Sequence, residues 1–209
     1  MQERAKATRR SLLEAAAQLF AEQGYAATSV DDISARSGRT SGAVYFHYSG
    51  KEGIAVAVVE DRFATWSQLA GRYGDEKVSP LERLVALSYD IAHDLARDPV
   101  ARAGARLWAE RTVIKTPVPD PFALWTAAAT RLLAQARLAG QVHERVRPAR
   151  TARTLVRAFF GLCTLTEALE GTTVLDDRLT DWWHLTLPSL RPQPFRGGFP
   201  ELPGLPHVW

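Results

Sequence analysis

The chain has 209 residues, 46% of them hydrophobic and 23% charged, which is long enough for one or two domains with a sizeable core. That composition excludes a disordered, collagen-like or disulfide-scaffold protein. The single cysteine, Cys163, excludes an internal disulfide and a cysteine-rich zinc site. With 26 Lys and Arg against 23 Asp and Glu, net +3, bulk charge does not announce a nucleic-acid partner, although Arg4, Lys6, Arg9 and Arg10 cluster at the start. No apolar run approaches the ~20 residues of a membrane span, so no membrane partner is expected. The charged opening Met1-Gln2-Glu3-Arg4 lacks a signal-peptide stretch, and a reducing cytoplasm is the expected compartment.

In chain order, Leu12, Leu13, Ala16, Leu19 and Phe20 share a face and predict a helix over about 4–23, stopped at Gly24. Ser29, with Asp32 three residues on, offers a weak capping box for a short helix over about 30–36. Ser37-Gly38-Arg39 is a turn with Gly38 suited to the left-handed conformation, and Thr40 caps a third helix over about 41–48. Longer helices follow over about 52–72, 80–97, 99–112, 121–139, 148–170 and 176–190. Ser79-Pro80-Leu81-Glu82, Asp98-Pro99, Asp120-Pro121 and Pro148 open four of them, since proline costs nothing where the first N–H groups have no partner. The last 19 residues hold five prolines and three glycines and predict no helix. The fold class is therefore all-α, with about nine helices. Three segments are expected: 1–51, 52–190 and a Pro/Gly-rich tail over 191–209.

Two short helices joined by a glycine-containing turn fit a helix-turn-helix. On the third helix Val44 and Tyr48 point inward, while Gly42, Ala43 and Phe46 fall opposite, flanked by Tyr45 and His47. Small residues at its start let the backbone approach a groove, and Tyr45, His47 and Lys51 can reach phosphate. The same spacing also fits an ordinary pair of core helices.

Thr8-Arg9, Leu13, Ala16, Leu19-Phe20, Gly24-Tyr25, Thr28-Ser29-Val30, Asp32-Ile33, Ser37-Gly38, Gly42 to Tyr48 and Lys51-Glu52 resemble the N-terminal domain of TetR-family repressors. The resemblance implies a three-helix helix-turn-helix DNA-binding domain followed by a helical ligand-binding and dimerisation domain. It implies a homodimer on double-stranded operator DNA, with contacts from Thr8, Arg9, Ser29, Arg39, Thr40, Ser41, Gly42, Tyr45, Phe46, His47 and Lys51. Asp98-Pro99-Val100, Arg102 to Leu107, and Pro119-Asp120-Pro121-Phe122 with Trp125 resemble the gamma-butyrolactone autoregulator receptors. That similarity implies a small-molecule inducer held by Trp125, with Trp108, Phe159, Phe160 and Tyr89 as further pocket walls. Related pseudo-receptors answer to other signals, among them furans, butenolides and antibiotics. The chain departs from these receptors at Ser41, where lysine is common, and at Arg39, where a small apolar residue is common. Arg39 is expected to point out towards phosphate, because burying its charge is costly.

Phe159, Trp182 and Trp183 are expected at the dimer interface, in the last two helices. The five histidines show no Glu-x-x-His or His-x-x-x-His pair, so neither metal nor cofactor is expected. Neither a P-loop, a dinucleotide fingerprint nor a nucleophile elbow occurs, and Cys163 reads as a small core residue. A ligand-responsive repressor is the expected function. A helical hydrolase lacks any motif, and an architectural DNA binder leaves ~140 residues unexplained.

Overall fold

A computed structural model describes residues 2–72 and 78–192; of residues 62–72 and of Pro121 only the backbone is described. Among the described residues there are nine α-helices and no strand. They are α1 (Gln2–Ala27), α2 (Val30–Ser37), α3 (Ser41–Tyr48), α4 (Lys51–Arg72), α5 (Pro80–Arg97), α6 (Pro99–Ala109), α7 (Pro121–Leu138), α8 (Pro148–Leu169) and α9 (Leu175–Leu190). The expected tail lies, from residue 193 on, outside the described residues.

Capping explains most of the boundaries. Asp98 Oδ1 accepts from the Val100 N–H at 2.8 Å, and Pro99 follows as the first residue of α6. The Glu82 carboxylate takes the Ser79 N–H at 2.7 Å, while the Ser79 hydroxyl faces the Glu82 N–H at 3.4 Å. Two ends differ from expectation. Gly24 (φ 83°, ψ 175°) does break the first helix, but another turn continues to Ala27. α6 stops at Ala109 rather than near 112, and a 3-10 turn takes Arg111–Val113.

The chain divides into two compact units. The first comprises residues 1–66 and 97–121, and the second residues 67–96 and 122–209. Packing thus draws the boundary differently from the motif-based division at residue 51, because α6 belongs with the N-terminal helices. The core of the first unit joins Leu12, Ala16, Leu19 and Phe20 of α1 to Ile33, Val44, Ile54 and Val58, with Val100, Ala103 and Leu107 of α6. Arg102, Ala105 and Arg106 alternate with those buried positions, so α6 turns one apolar face to this core.

The second unit contains the end of α4, from Ser67, with α5, α7, α8 and α9. Trp183, 1% exposed, donates its indole N–H to the Ser88 hydroxyl at 2.8 Å, joining α9 to α5. The Tyr89 hydroxyl meets Thr180 at 2.7 Å, and burial pushes the Tyr89 phenol up to about 12.

Candidate nucleic-acid interface and ligand cavity

The geometry of α2 and α3 is set by local hydrogen bonds. The Ser29 hydroxyl accepts from the Asp32 N–H at 3.0 Å, and Asp32 Oδ2 accepts from the Ser29 N–H at 2.8 Å. The Ser29 hydroxyl also donates to Asp32 Oδ2 at 2.7 Å, and that bond, with the one from the Ser29 N–H, holds the Asp32 carboxyl below its usual range. Gly38 ends α2 in the left-handed region at φ 63°, and the Arg39 N–H closes onto the Ser34 carbonyl at 3.1 Å. Thr40 then caps α3. The turn is closed with Arg39 exposed, in keeping with an outward guanidinium.

Val44 and Tyr48 are buried as the wheel predicts. On the opposite side Phe46 is 84% exposed and Tyr45 59%. A methyl group added at Gly42 would have Thr40 Oγ1, 3.8 Å away, as its nearest neighbour, so the start of α3 presents open backbone. His47 is half-buried, its ring edge-on to Phe46 at 5.0 Å. An exposed phenylalanine at the centre of a short helix is costly in water, and the surface around it is flanked by hydrogen-bonding groups. Such a face suits a groove that offers both apolar methyl groups and phosphate.

The remaining candidates divide between surface and scaffold. Arg9 is exposed, its guanidinium 5.2 Å from the Tyr48 ring centroid, and the Tyr48 hydroxyl donates to the Arg9 carbonyl at 2.7 Å. Thr8 is half-buried beside it. Ser29 and Thr40 are exposed but serve as caps. The Ser41 hydroxyl donates to Asp31 Oδ1 at 2.8 Å and lies 3.1 Å from the Ser34 hydroxyl. Nothing in the spacing marks Asp31 as its partner. Lys51 differs most from expectation. Its ammonium donates to the Tyr25 and Thr28 carbonyls at 2.9 and 2.8 Å and stands 4.2 Å from the Tyr25 ring centroid. Two of its three donors therefore fasten the end of α1.

In the second unit Trp125 is buried and stacks on Phe159, with centroids 5.6 Å apart and planes 15° apart. Phe160 meets Trp125 edge-on at 6.1 Å and Phe122 at 4.3 Å. Trp125 and Phe159 line a small apolar cavity with Leu84, Ser88, Trp182 and Trp183. Its volume of about 10 Å³ holds about one water. A ligand entering here has to displace an aromatic ring. Ser88 is the one hydroxyl among the lining residues, and it already accepts from Trp183 and donates to the Val85 carbonyl.

The structure does not bring all the expected pocket walls together. Trp108 belongs to the first unit, its ring under the Arg111 guanidinium at 4.0 Å. Tyr89 is buried towards Thr180 and does not line the cavity. The expected dimer contacts need correction too. Phe159 and Trp183 are 2% and 1% exposed in the single chain, so their rings belong to its own interior. The outward sides of α8 and α9 instead carry Leu165, Leu169 and Leu185, the last 81% exposed, with Trp182 half-buried. Among the described residues no group of three or more His, Cys, Asp or Glu is placed to hold a metal, and no helix is long and apolar enough to cross a membrane. Burial pushes the Cys163 thiol up to about 12.

Residues 12–58 match the family model for bacterial regulatory proteins of the tetR family, and residues 78–192 that for the tetracyclin repressor-like C-terminal domain. The A-factor receptor protein of Streptomyces griseus is 32% identical over 189 residues, covering 90% of this chain and 66% of the receptor. The chain thus spans just under two thirds of that relative's length. Among solved structures, a gamma-butyrolactone receptor (ArpA-like protein) superposes with a TM-score of 0.75 at 32% identity, covering 91% of this chain and 90% of that one. CprB of Streptomyces coelicolor, solved in complex with its biological operator sequence, superposes with a TM-score of 0.74 at 34% identity, covering 91% of each chain. With both halves of the chain matched in order and the helix-turn-helix geometry in place, the protein belongs to the TetR family of bacterial regulatory proteins.

Proposed function

We propose that the protein is a homodimeric transcriptional repressor that binds a palindromic operator through α3 and is released by a gamma-butyrolactone or a related furan or butenolide. The observation that carries this reading is the outward face of α3, where Phe46 and Tyr45 are exposed beside the open backbone at Gly42. Arg9, Arg39 and His47 surround that face as phosphate-binding groups, while Ser29 caps α2, Thr40 caps α3 and Ser41 ties the two helices through Asp31 and Ser34. A second copy covers Leu165, Leu169 and Leu185, and two-fold symmetry then presents two recognition helices to two half-sites. The similarity to the A-factor receptor and to the butyrolactone receptors supports the ligand class, and secondary-metabolite genes as the target. The reading is of a cytoplasmic regulator and not of an enzyme.

Ligand acts by binding better to a conformer whose recognition helices are wrongly spaced. The cavity at Trp125 and Phe159 is the entry point on this reading, with most of the affinity from apolar burial. Its single, already engaged hydroxyl also favours a second reading, in which the inducer is an antibiotic or another hydrophobic drug. Selection from a pool of random duplexes tests DNA binding. Enrichment of an inverted repeat that is bound by wild type and lost in Phe46→Ala is the expected result. Recovery of unrelated sequences would refute the operator reading.

A further inference from the structure

The corner between α1 and α2, residues 21–28, is held by charged side chains from two helices. From α6, Arg106 Nη1 donates to the Ala21 and Glu22 carbonyls at 2.9 and 3.2 Å, while its Nε donates to Glu110 Oε1 at 3.0 Å. The other Glu110 oxygen accepts the Tyr25 N–H at 2.7 Å. From α4, Lys51 takes the Tyr25 and Thr28 carbonyls. Gly24 sits at the centre with φ 83°. A Cβ there would stand 2.7 Å from Glu110 Oε1 and 2.9 Å from Arg106 Nη2, so the backbone approaches the ion pair as closely as glycine allows. Arg106 and Glu110 thus satisfy carbonyls left over at the break in α1 and an N–H freed by it. Ser29, one residue past the corner, caps α2, and α2 leads directly into α3.

α6 is also an excursion of the chain. α5 lies almost wholly in the second unit, α6 in the first, and α7 in the second again from Phe122 on. One residue, Asp98, joins α6 to α5, and a longer segment with a 3-10 turn at Arg111–Val113 joins it to α7; α5 lines the aromatic cavity through Leu84 and Ser88 and α7 through Trp125.

We propose that Arg106 and Glu110 are positioning residues that fasten α6 to the α1–α2 corner, and that this fastening sets the spacing of the two recognition helices in the dimer. The proposal rests on the operator reading above. An i,i+4 ion pair that is partly exposed adds little stability by itself. Its role here is directional, because the same two side chains hold each other and three backbone groups of the corner. A displacement of α6 is then carried to α2 and α3 instead of being lost in a slack joint.

The test uses the inverted repeat selected by wild type and two variants of it with the half-site spacing changed by one base pair in either direction. Dissociation constants for Arg106→Gln, Glu110→Gln and the double variant are read by fluorescence anisotropy, beside dimer mass and melting temperature. Each variant is expected to remain dimeric, to melt somewhat lower because backbone groups of the corner lose a partner, and to lose at least about fivefold in discrimination between native and altered spacing. The double variant is expected to be no worse than either single one, because the two act as one unit. Arg106→Lys, which keeps the charge but not the fork, should fall between wild type and Arg106→Gln. Hydrogen exchange at the Tyr25 amide should quicken in Glu110→Gln, a readout independent of DNA. Wild-type spacing discrimination in both single variants would overturn the proposal, as would an equal loss on all three duplexes together with a lower melting temperature. If wild type selects no inverted repeat, the operator reading fails first, and this proposal with it.

Discussion

Each of the two units of the molecule is held together by its own means. In the first, an apolar core is fastened at its corner by Arg106, Glu110 and Lys51, each bonded to backbone groups, and the working surface on α3 is left bare. In the second, tryptophan and phenylalanine rings of α7, α8 and α9 pack on one another, and the cavity at Trp125 and Phe159 holds about one water. The first arrangement keeps a small rigid surface in a fixed direction. The second is close-packed but can be reshaped by turning a ring, as an inducible site requires.

The largest effect expected from this contrast is in the aromatic interior. Trp183→Ala removes a fully buried ring and leaves the Ser88 hydroxyl short of a donor, and should cost about 3–5 kcal/mol with a clear fall in melting temperature. Leu185→Glu, on the outward side of the same helix, should leave the melting of the chain nearly unchanged but reduce dimer mass in light scattering. If Trp183→Ala melts like wild type while remaining dimeric, the distinction between inward and outward faces of α9 is wrong. Trp125→Ala should cost stability in the empty protein as well as inducer response, since its ring is stacked on Phe159 rather than standing in an open pocket.

On α3 the expected effects are on binding and not on folding. Gly42→Ala meets open space and should stabilise the free protein by up to about 1 kcal/mol, since alanine is the better helix former. It should nevertheless weaken operator binding, because a methyl group then stands between helix and groove. A Gly42→Ala protein that gains both stability and affinity would show that α3 does not approach DNA at this point. Lys51→Ala should lower the melting temperature, because the Tyr25 and Thr28 carbonyls lose the hydrogen bonds from its ammonium.

Smaller effects are expected at the cap of α2 and at the buried thiol. Ser29→Ala should cost about 0.5–2 kcal/mol through loss of the cap on α2. The Asp32 carboxyl is held below its usual range in the folded state, so its contribution is present above the unfolded value and fades as pH falls through the folded one. The stability gap between Ser29→Ala and wild type should therefore narrow in acid without closing, because the bond from the Asp32 N–H to the Ser29 hydroxyl does not titrate. Cys163, its thiol pushed up to about 12, should resist alkylation at neutral pH until the chain is unfolded.

The helices and the recognition motif are legible in the sequence because their signals are local. Ser29, Gly38, Thr40, Asp98 and the prolines at helix starts act within four residues, and they sit where the capping chemistry requires. The placement of the large aromatics is less legible, although part of the signal is there. Leu175, Leu179, Trp183 and Leu187 follow one another at intervals of four, which puts Trp183 on the inward face of α9. The excursion of α6 into the first unit has no local signature. It assigns Trp108 and Trp125 to different units and brings Arg106 and Glu110 to Gly24, across 80 or more positions of chain. Lys51 reads as a phosphate contact from its place after α3, yet the Tyr25 and Thr28 carbonyls lie within its reach and accept hydrogen bonds from its ammonium.

The most direct test of a ligand-released repressor is a titration of the purified protein onto its selected inverted repeat at physiological salt, repeated with a synthetic alkyl gamma-butyrolactone. Saturable binding as a dimer is expected, much tighter than to a scrambled duplex, with release of the DNA as the lactone is added and loss of that release in Trp125→Ala. Equal affinity for scrambled and selected duplexes would contradict the operator reading. A complex that withstands saturating lactone, furan and butenolide alike would contradict the proposed inducer class.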